Sequence, residues 1–140
     1  MSDESIISKS KSVLVSKKIY VENMSFQRTK GNATLIKFSR SAVVKNVEQI
    51  EENVFRCTLS VNMVDNNDEA KLEVTVVGIF EIHADIPKET KEVIVAKNTM
   101  SILFPYIRSQ ITLLTSQPEV VPVVLPPVNI NALLENMKNK

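Results

Sequence analysis

Cys57 and His83 are the single cysteine and the single histidine in a chain of 140 residues. Together they are the raw material for a thiolate nucleophile and its base, the pairing used in covalent catalysis. They lie 26 positions apart, on what read as neighbouring strands, so an encounter is geometrically conceivable. Cys57, however, falls on the apolar side of its strand, where a thiol is usually inert packing. The acids Glu51, Glu52, Asp65, Asp68 and Glu69 fall in turns, where solvated carboxylates are the ordinary occupants. Two glycines, Gly31 and Gly78, cannot build a phosphate-cradling loop. One histidine with one cysteine cannot assemble a usual zinc site. No cofactor or metal is expected, and the chain reads as a non-enzyme.

The length suits one domain, spanning 1–140, with enough residues to bury a core. Net charge is +1, which points to neither a nucleic-acid nor a membrane partner. The charge is unevenly spread. Residues 1–47 hold nine basic and three acidic residues, and residues 48–93 hold four and eleven. A basic first third is one way to bind anions. Basic and acidic strands pairing side by side is the simpler account, because no aromatic stacking platform accompanies the lysines. A lone cysteine fits a cytoplasmic location, and the first residues, broken by Lys and Ser, do not read as a signal peptide. No uncharged stretch reaches the ~20 apolar residues a spanning helix needs.

Residues 1–11 read as a frayed lead-in. A first strand is expected from Ser12 to Gln27 through Val13, Val15, Ile19, Val21 and Phe26. A second, interrupted strand is expected around Leu35 to Val44. The third alternates cleanly, with Phe55, Cys57, Leu59, Val61 and Met63 on one face. In the fourth, Leu72, Val74, Val76, Gly78, Phe80 and Ile82 share a face. This alternation is that of an antiparallel sheet with one covered and one wet face. Gly78 inside a strand signals a bulge or a close backbone approach.

Between His83 and Asn98 the periodicity fades, and Pro87 with scattered charges reads as a long connection. A helix is expected over residues 98–116, with Ser101 as N-cap and Pro105 in the first turn, where a missing N–H costs little. Leu103, Ile107, Ile111 and Leu114 form one apolar stripe, widened by Phe104, Tyr106 and Leu113. Arg108, Thr112 and Thr115 make the one polar line. That apolar arc exceeds the ~100° a surface helix usually shows. The remaining chain, a Pro-rich connector and a short amphipathic helix over 131–139, offers little cover. The stripe is therefore expected to face another copy, making the protein an oligomer.

The segments "SILFPYIRSQITLLTS" and "LPPVNINALLENM" resemble the end of the SecB protein-export chaperones, with their ILFPY-type helix start and PVN-type entry to the last helix. "KKIYVENMSFQ", "NVFRCTLSVNM" and "VVGIFEI" resemble that family's first, third and fourth strands. The resemblance implies an α+β fold: a four-stranded antiparallel sheet, a crossover loop over 83–98, one long helix and a short C-terminal helix. It further implies a homotetramer, a dimer of dimers, that holds unfolded or precursor polypeptides in apolar grooves without ATP. On that footing Ile86, Val93, Ile94 and Val95 of the connection, with Leu133 and Met137 of the last helix, are the candidate groove lining. Five methionines suit a surface that must repack around varied clients.

The resemblance also implies docking to the SecA motor through the wet face of the sheet. The matching positions are Asn23 and Gln27, both neutral, then Lys71 and the retained acid Glu73. Fewer charges mean weaker steering of a partner, so delivery to SecA is in question. Two alternatives stay open: a dedicated chaperone of a toxin–antitoxin pair on the same scaffold, and a structural or regulatory oligomer with no groove function.

Overall fold

The computed structural model describes residues 14–29, 35–83 and 85–126. Four strands, β1 (Leu14–Arg28), β2 (Phe38–Glu51), β3 (Val54–Asp65) and β4 (Ala70–Ile82), precede one long helix, α1 (Lys88–Thr115). The strands form one antiparallel sheet in the order β1-β4-β3-β2. The expected 1–11 lead-in and 131–139 helix lie outside the described residues.

The central strands behave as their alternation demands. Phe55, Cys57, Leu59, Val61 and Met63 are buried on β3, and Leu72, Val74, Val76, Phe80 and Ile82 are buried on β4. β1 departs from simple alternation because its register shifts between Ser16 and Lys18 and again between Val21 and Asn23. Each bulge inserts one residue and reverses the parity. Leu14, Ile19 and Phe26, at odd spacings, therefore all pack on the core, whereas Val15 pairs with Glu81 and is exposed. β2 extends beyond the expected Leu35–Val44 span to Glu51, and Ile36 stands apart in a parallel bridge with Val120.

The helix corrects two expectations. Residues 83–98 are not a loop throughout, because α1 begins at Lys88 and runs for 28 residues, about 42 Å at 1.5 Å per residue. Its buried row is Val95, Thr99, Leu103, Ile107, Ile111 and Thr115, a strict spacing of four with every member at 0% exposure. Two threonines sit in that row and mask it in a hydropathy reading. Each donates its hydroxyl to the carbonyl four residues back, Thr99 to Val95 and Thr115 to Ile111, so neither brings an unmet polar group into the core. Pro105 is accordingly inside the helix, not in its first turn. It sits on the exposed flank with Ser101, away from the packed face. The N-cap position is Pro87, with no side-chain cap.

After α1 the chain turns back as an extended strap, residues 120–126, along the helix. The polar line read from the sequence is what holds it. Arg108 Nε donates to the Leu125 carbonyl at 3.0 Å, and Thr112 Oγ1 donates to the Val123 carbonyl at 3.1 Å. The Val123 amide donates to Thr115 Oγ1 at 2.9 Å. At its start the strap is tied to Ile36, which donates to Glu119 and accepts from Val121.

Candidate functional site

Cys57 and His83 are not brought together. Cys57 pairs with Gly78 in mid-sheet, five residues before His83, roughly 16 Å along a strand. Burial pushes the Cys57 thiol up to about 11, against a small opposing effect of its bond with Thr99, so it stays protonated and shielded. His83 Nε2 instead lies 2.6 Å from Glu81, two residues back on β4, and Lys17 lies 2.8 Å from the same carboxylate. The Lys17 bond chiefly, with His83 assisting against burial, holds Glu81 below the usual carboxylate range. Among the described residues no group of three His, Cys, Asp or Glu could hold a metal ion.

The feature with room for a ligand lies along β2. α1 crosses the inner face of the sheet over β3 and β4 and leaves the β2 flank partly uncovered. Paired residues of an antiparallel ladder share a face, so Ser41, Val43, Lys45, Val47 and Gln49, opposite Met63, Val61, Leu59, Cys57 and Phe55, all look inward. A cleft opens between them and the helix. One cavity there, apolar and about 220 Å³, lies between Val43 of β2, Val61 and Met63 of β3, Phe104 of α1, and Leu125 and Pro126 of the strap. A second, about 600 Å³, lies between Lys45, Val47 and Gln49 of β2 and Glu89, Glu92 and Val93 at the start of α1. The start of α1 is fixed there by Lys91, whose Nζ donates to Asn53 Oδ1 of the β2–β3 turn at 2.7 Å.

Of the residues expected to line a groove, Val93 is exposed beside the larger cavity. Ile94 and Val95 turn into the core and are corrected to packing residues, since a helix, not a loop, carries them. Ile86 is half-buried against that core, and Leu133 and Met137 lie outside the described residues. Sequence reasoning missed Val43, Val47, Phe104, Leu125 and Pro126. The signal for the first two was their spacing of four on a strand, blurred by Lys45 between them.

The expected oligomer stripe is also corrected. Leu103, Ile107 and Ile111 are fully buried against this chain's own sheet, and Leu114 is half-buried beside them. The excess apolar surface of α1 exists, but on the other side: Ile102, Tyr106 and Leu113 are 37%, 47% and 62% exposed. On the outer face of the sheet Gln27 pairs with Lys71, Ser25 with Glu73, and Asn23 with Thr75. Gln27, Lys71 and Glu73 thus meet around a shallow depression of about 340 Å³, with Asn23 further along the same face.

A four-stranded antiparallel sheet under one long helix, with a cleft between the edge strand and that helix, is an α+β architecture. The family model for the preprotein translocase subunit SecB matches residues 8–140. The protein-export protein SecB of Aromatoleum aromaticum is 31% identical over 84% of this chain and 79% of its own length. That of Methylobacillus flagellatus is 28% identical over 88% and 82%. An uncharacterized Methanocaldococcus jannaschii protein is 30% identical over 63% of this chain, which spans 59% of that relative. A Mycobacterium tuberculosis SecB-like chaperone, solved in complex with a ChAD peptide from the HigA1 antitoxin, matches with a TM-score of 0.68. It is 16% identical and covers 91% of this chain and 99% of its own.

The chain belongs to the SecB family. It is a chaperone of that family and not an enzyme. Among the described residues no helix is long and apolar enough to cross a membrane.

Proposed function

We propose that this protein is an ATP-independent holdase that receives extended, unfolded polypeptide in the cleft along β2, in the cytoplasm and in the service of protein export. The observation that carries this reading is the apolar cavity beside β2, where Val43, Met63, Phe104, Leu125 and Pro126 leave space open to solvent. An extended chain suits such a site, because β2 is an edge strand and can add backbone hydrogen bonds to side-chain burial. The protein would act as an oligomer, with the outer row of α1 against a second copy and a dimer of dimers as the full assembly.

A second reading keeps the cleft and narrows the client to one partner, an antitoxin. Two observations favour it: the neutral Asn23 and Gln27 with Lys71 on the outer face weaken the case for SecA docking, and the M. tuberculosis relative carries an antitoxin peptide. Toxin and antitoxin genes beside this one would support it.

The test is light scattering from a chemically unfolded client. The holdase reading expects the protein, at stoichiometric amounts, to suppress aggregation, and Val43→Lys to weaken that suppression with the fold intact by circular dichroism. A pure, folded protein that leaves aggregation unchanged defeats the holdase reading; one that binds only an antitoxin encoded beside it supports the narrower one.

A further inference from the structure

Three methionines stand among the described residues, with graded access to solvent: Met24 is 38% exposed, Met63 8% and Met100 0%. Met24 lies on the far edge strand, β1, and Met100 is packed within α1 and the core. Met63 alone of the three lines the apolar cavity beside β2, with Val43, Val61, Phe104 and Leu125. A small solute that enters this cavity therefore meets a thioether. Directly across the ladder from Met63 is Ser41, which lines the same cavity. Residues so paired have Cβ atoms about 5 Å apart. The Ser41 side chain makes no hydrogen bond among the described residues. A thioether sulfur is a weak acceptor, so the hydroxyl gains little from Met63 in its ordinary form.

Resting on the holdase reading, we propose that Met63 is a site of reversible oxidation by peroxide, with Ser41 holding the oxidised side chain, and that this modification lowers the capacity to hold clients. The sulfur attacks one peroxide oxygen; an S–O bond forms as the O–O bond breaks. Sulfur gives up two electrons, and hydrogen peroxide leaves as water. In the reverse step the thiols of a methionine sulfoxide reductase take over the oxygen, which departs as water while they close to a disulfide. Oxidation turns a flexible apolar side chain into a polar one, so this part of the wall binds water that an apolar client group must displace. A buried S–O group with no donor would destabilise the core. The Ser41 hydroxyl supplies that donor from the adjacent strand, which makes the event a switch on a folded protein and not simple damage.

The test treats the purified full chain with hydrogen peroxide and locates the added oxygen by peptide mass mapping. Met24 should react first, Met63 next and Met100 last. Once Met63 is oxidised, the amount of protein needed to suppress client aggregation should rise about fourfold, the equivalent of losing roughly one buried methylene. The circular dichroism spectrum should be retained, and a methionine sulfoxide reductase should restore holding. Each variant is compared with itself before and after peroxide. Met63→Leu keeps the volume and cannot be oxidised at 63, so its holding should not respond. In Ser41→Ala, oxidation should lower the melting temperature by more than it does in the unaltered chain; an equal shift overturns the part given to Ser41. Met63 left unoxidised until Met100 reacts, holding unchanged by oxygen at Met63, a response that persists in Met63→Leu, or a spectrum lost on oxidation each overturns the switch and leaves the holdase reading standing. Failure to suppress aggregation before any peroxide is added defeats the holdase reading itself.

Discussion

Gly78 and Phe80 stand two positions apart on the buried face of β4, and the Phe80 ring fills the space that a side chain at 78 would need. A Cβ on Gly78 would overlap Phe80 Cε2 and sit 3.0 Å from Leu103 Cδ2. The glycine therefore leaves room for the ring on the buried face. Gly78→Ala should destabilise the fold by about 1–3 kcal/mol through overpacking. A chemical denaturation midpoint measures this, and an unchanged midpoint would mean the ring moves at no cost.

The strap and the helix are joined at Thr115, whose hydroxyl donates to Ile111 and accepts from the Val123 amide. Thr115→Val keeps the shape and removes both bonds, leaving that amide without its partner. The cost should be about 1–3 kcal/mol. Hydrogen exchange at Val123 should quicken more than at the β3 and β4 amides, because the damage is local to the strap. Because Leu125 and Pro126 follow on the same strap, peptide affinity should fall as well.

Asp65 closes the β3–β4 hairpin, accepting from the Glu69 and Ala70 amides at 2.6 and 2.9 Å. Burial raises its pKa, but the amides of Ala70, Glu69 and Asn67 together outweigh burial and hold the carboxyl below its usual value of 3.8. The unfolded chain thus binds this proton more readily than the folded one, so stability rises with pH across that window. The contribution is complete above the unfolded value and is lost as pH falls through the lower, folded value. Asp65→Asn retains an acceptor and should flatten the acid limb of a stability–pH curve. Asp65→Ala should cost about 1–3 kcal/mol at neutral pH. An acid limb unchanged in Asp65→Asn would assign it to other carboxylates.

β3 and β4 were legible because they lie in the middle of the sheet, one face covered and one not, and their side chains report that with a period of two. β1 was half legible, since the bulges near Lys17 and Glu22 shift its parity without a residue type that announces them. The first half of α1 was hidden by chemistry: Thr99 occupies a core position while counting as polar, its hydroxyl bonded to the Val95 carbonyl, and the polar run from Lys88 to Lys91 directly after Pro87 looks like a loop. The cleft was the least legible part. It is made by four segments meeting, and Phe104 and Leu125 are 21 positions apart with no local pattern linking them.

The breadth of the apolar arc on α1 was readable, but not which side of it faces the sheet, and that distinction sets the last prediction. Ile111 has no exposed surface, whereas Leu113, two residues on, is 62% exposed. A charge at 111 must enter the core unpaired, at a cost of several kcal/mol, so Ile111→Asp should lose the fold itself, seen as lost circular dichroism. A charge at 113 meets solvent in the single chain and meets apolar surface only if a second copy packs there. Leu113→Asp and Tyr106→Asp should therefore keep the spectrum and the melt of the subunit while lowering the mass found by light scattering. Variants that retain the parent mass would place any contact between copies on another surface, with the edge strand β1 the next to test by the same measurement.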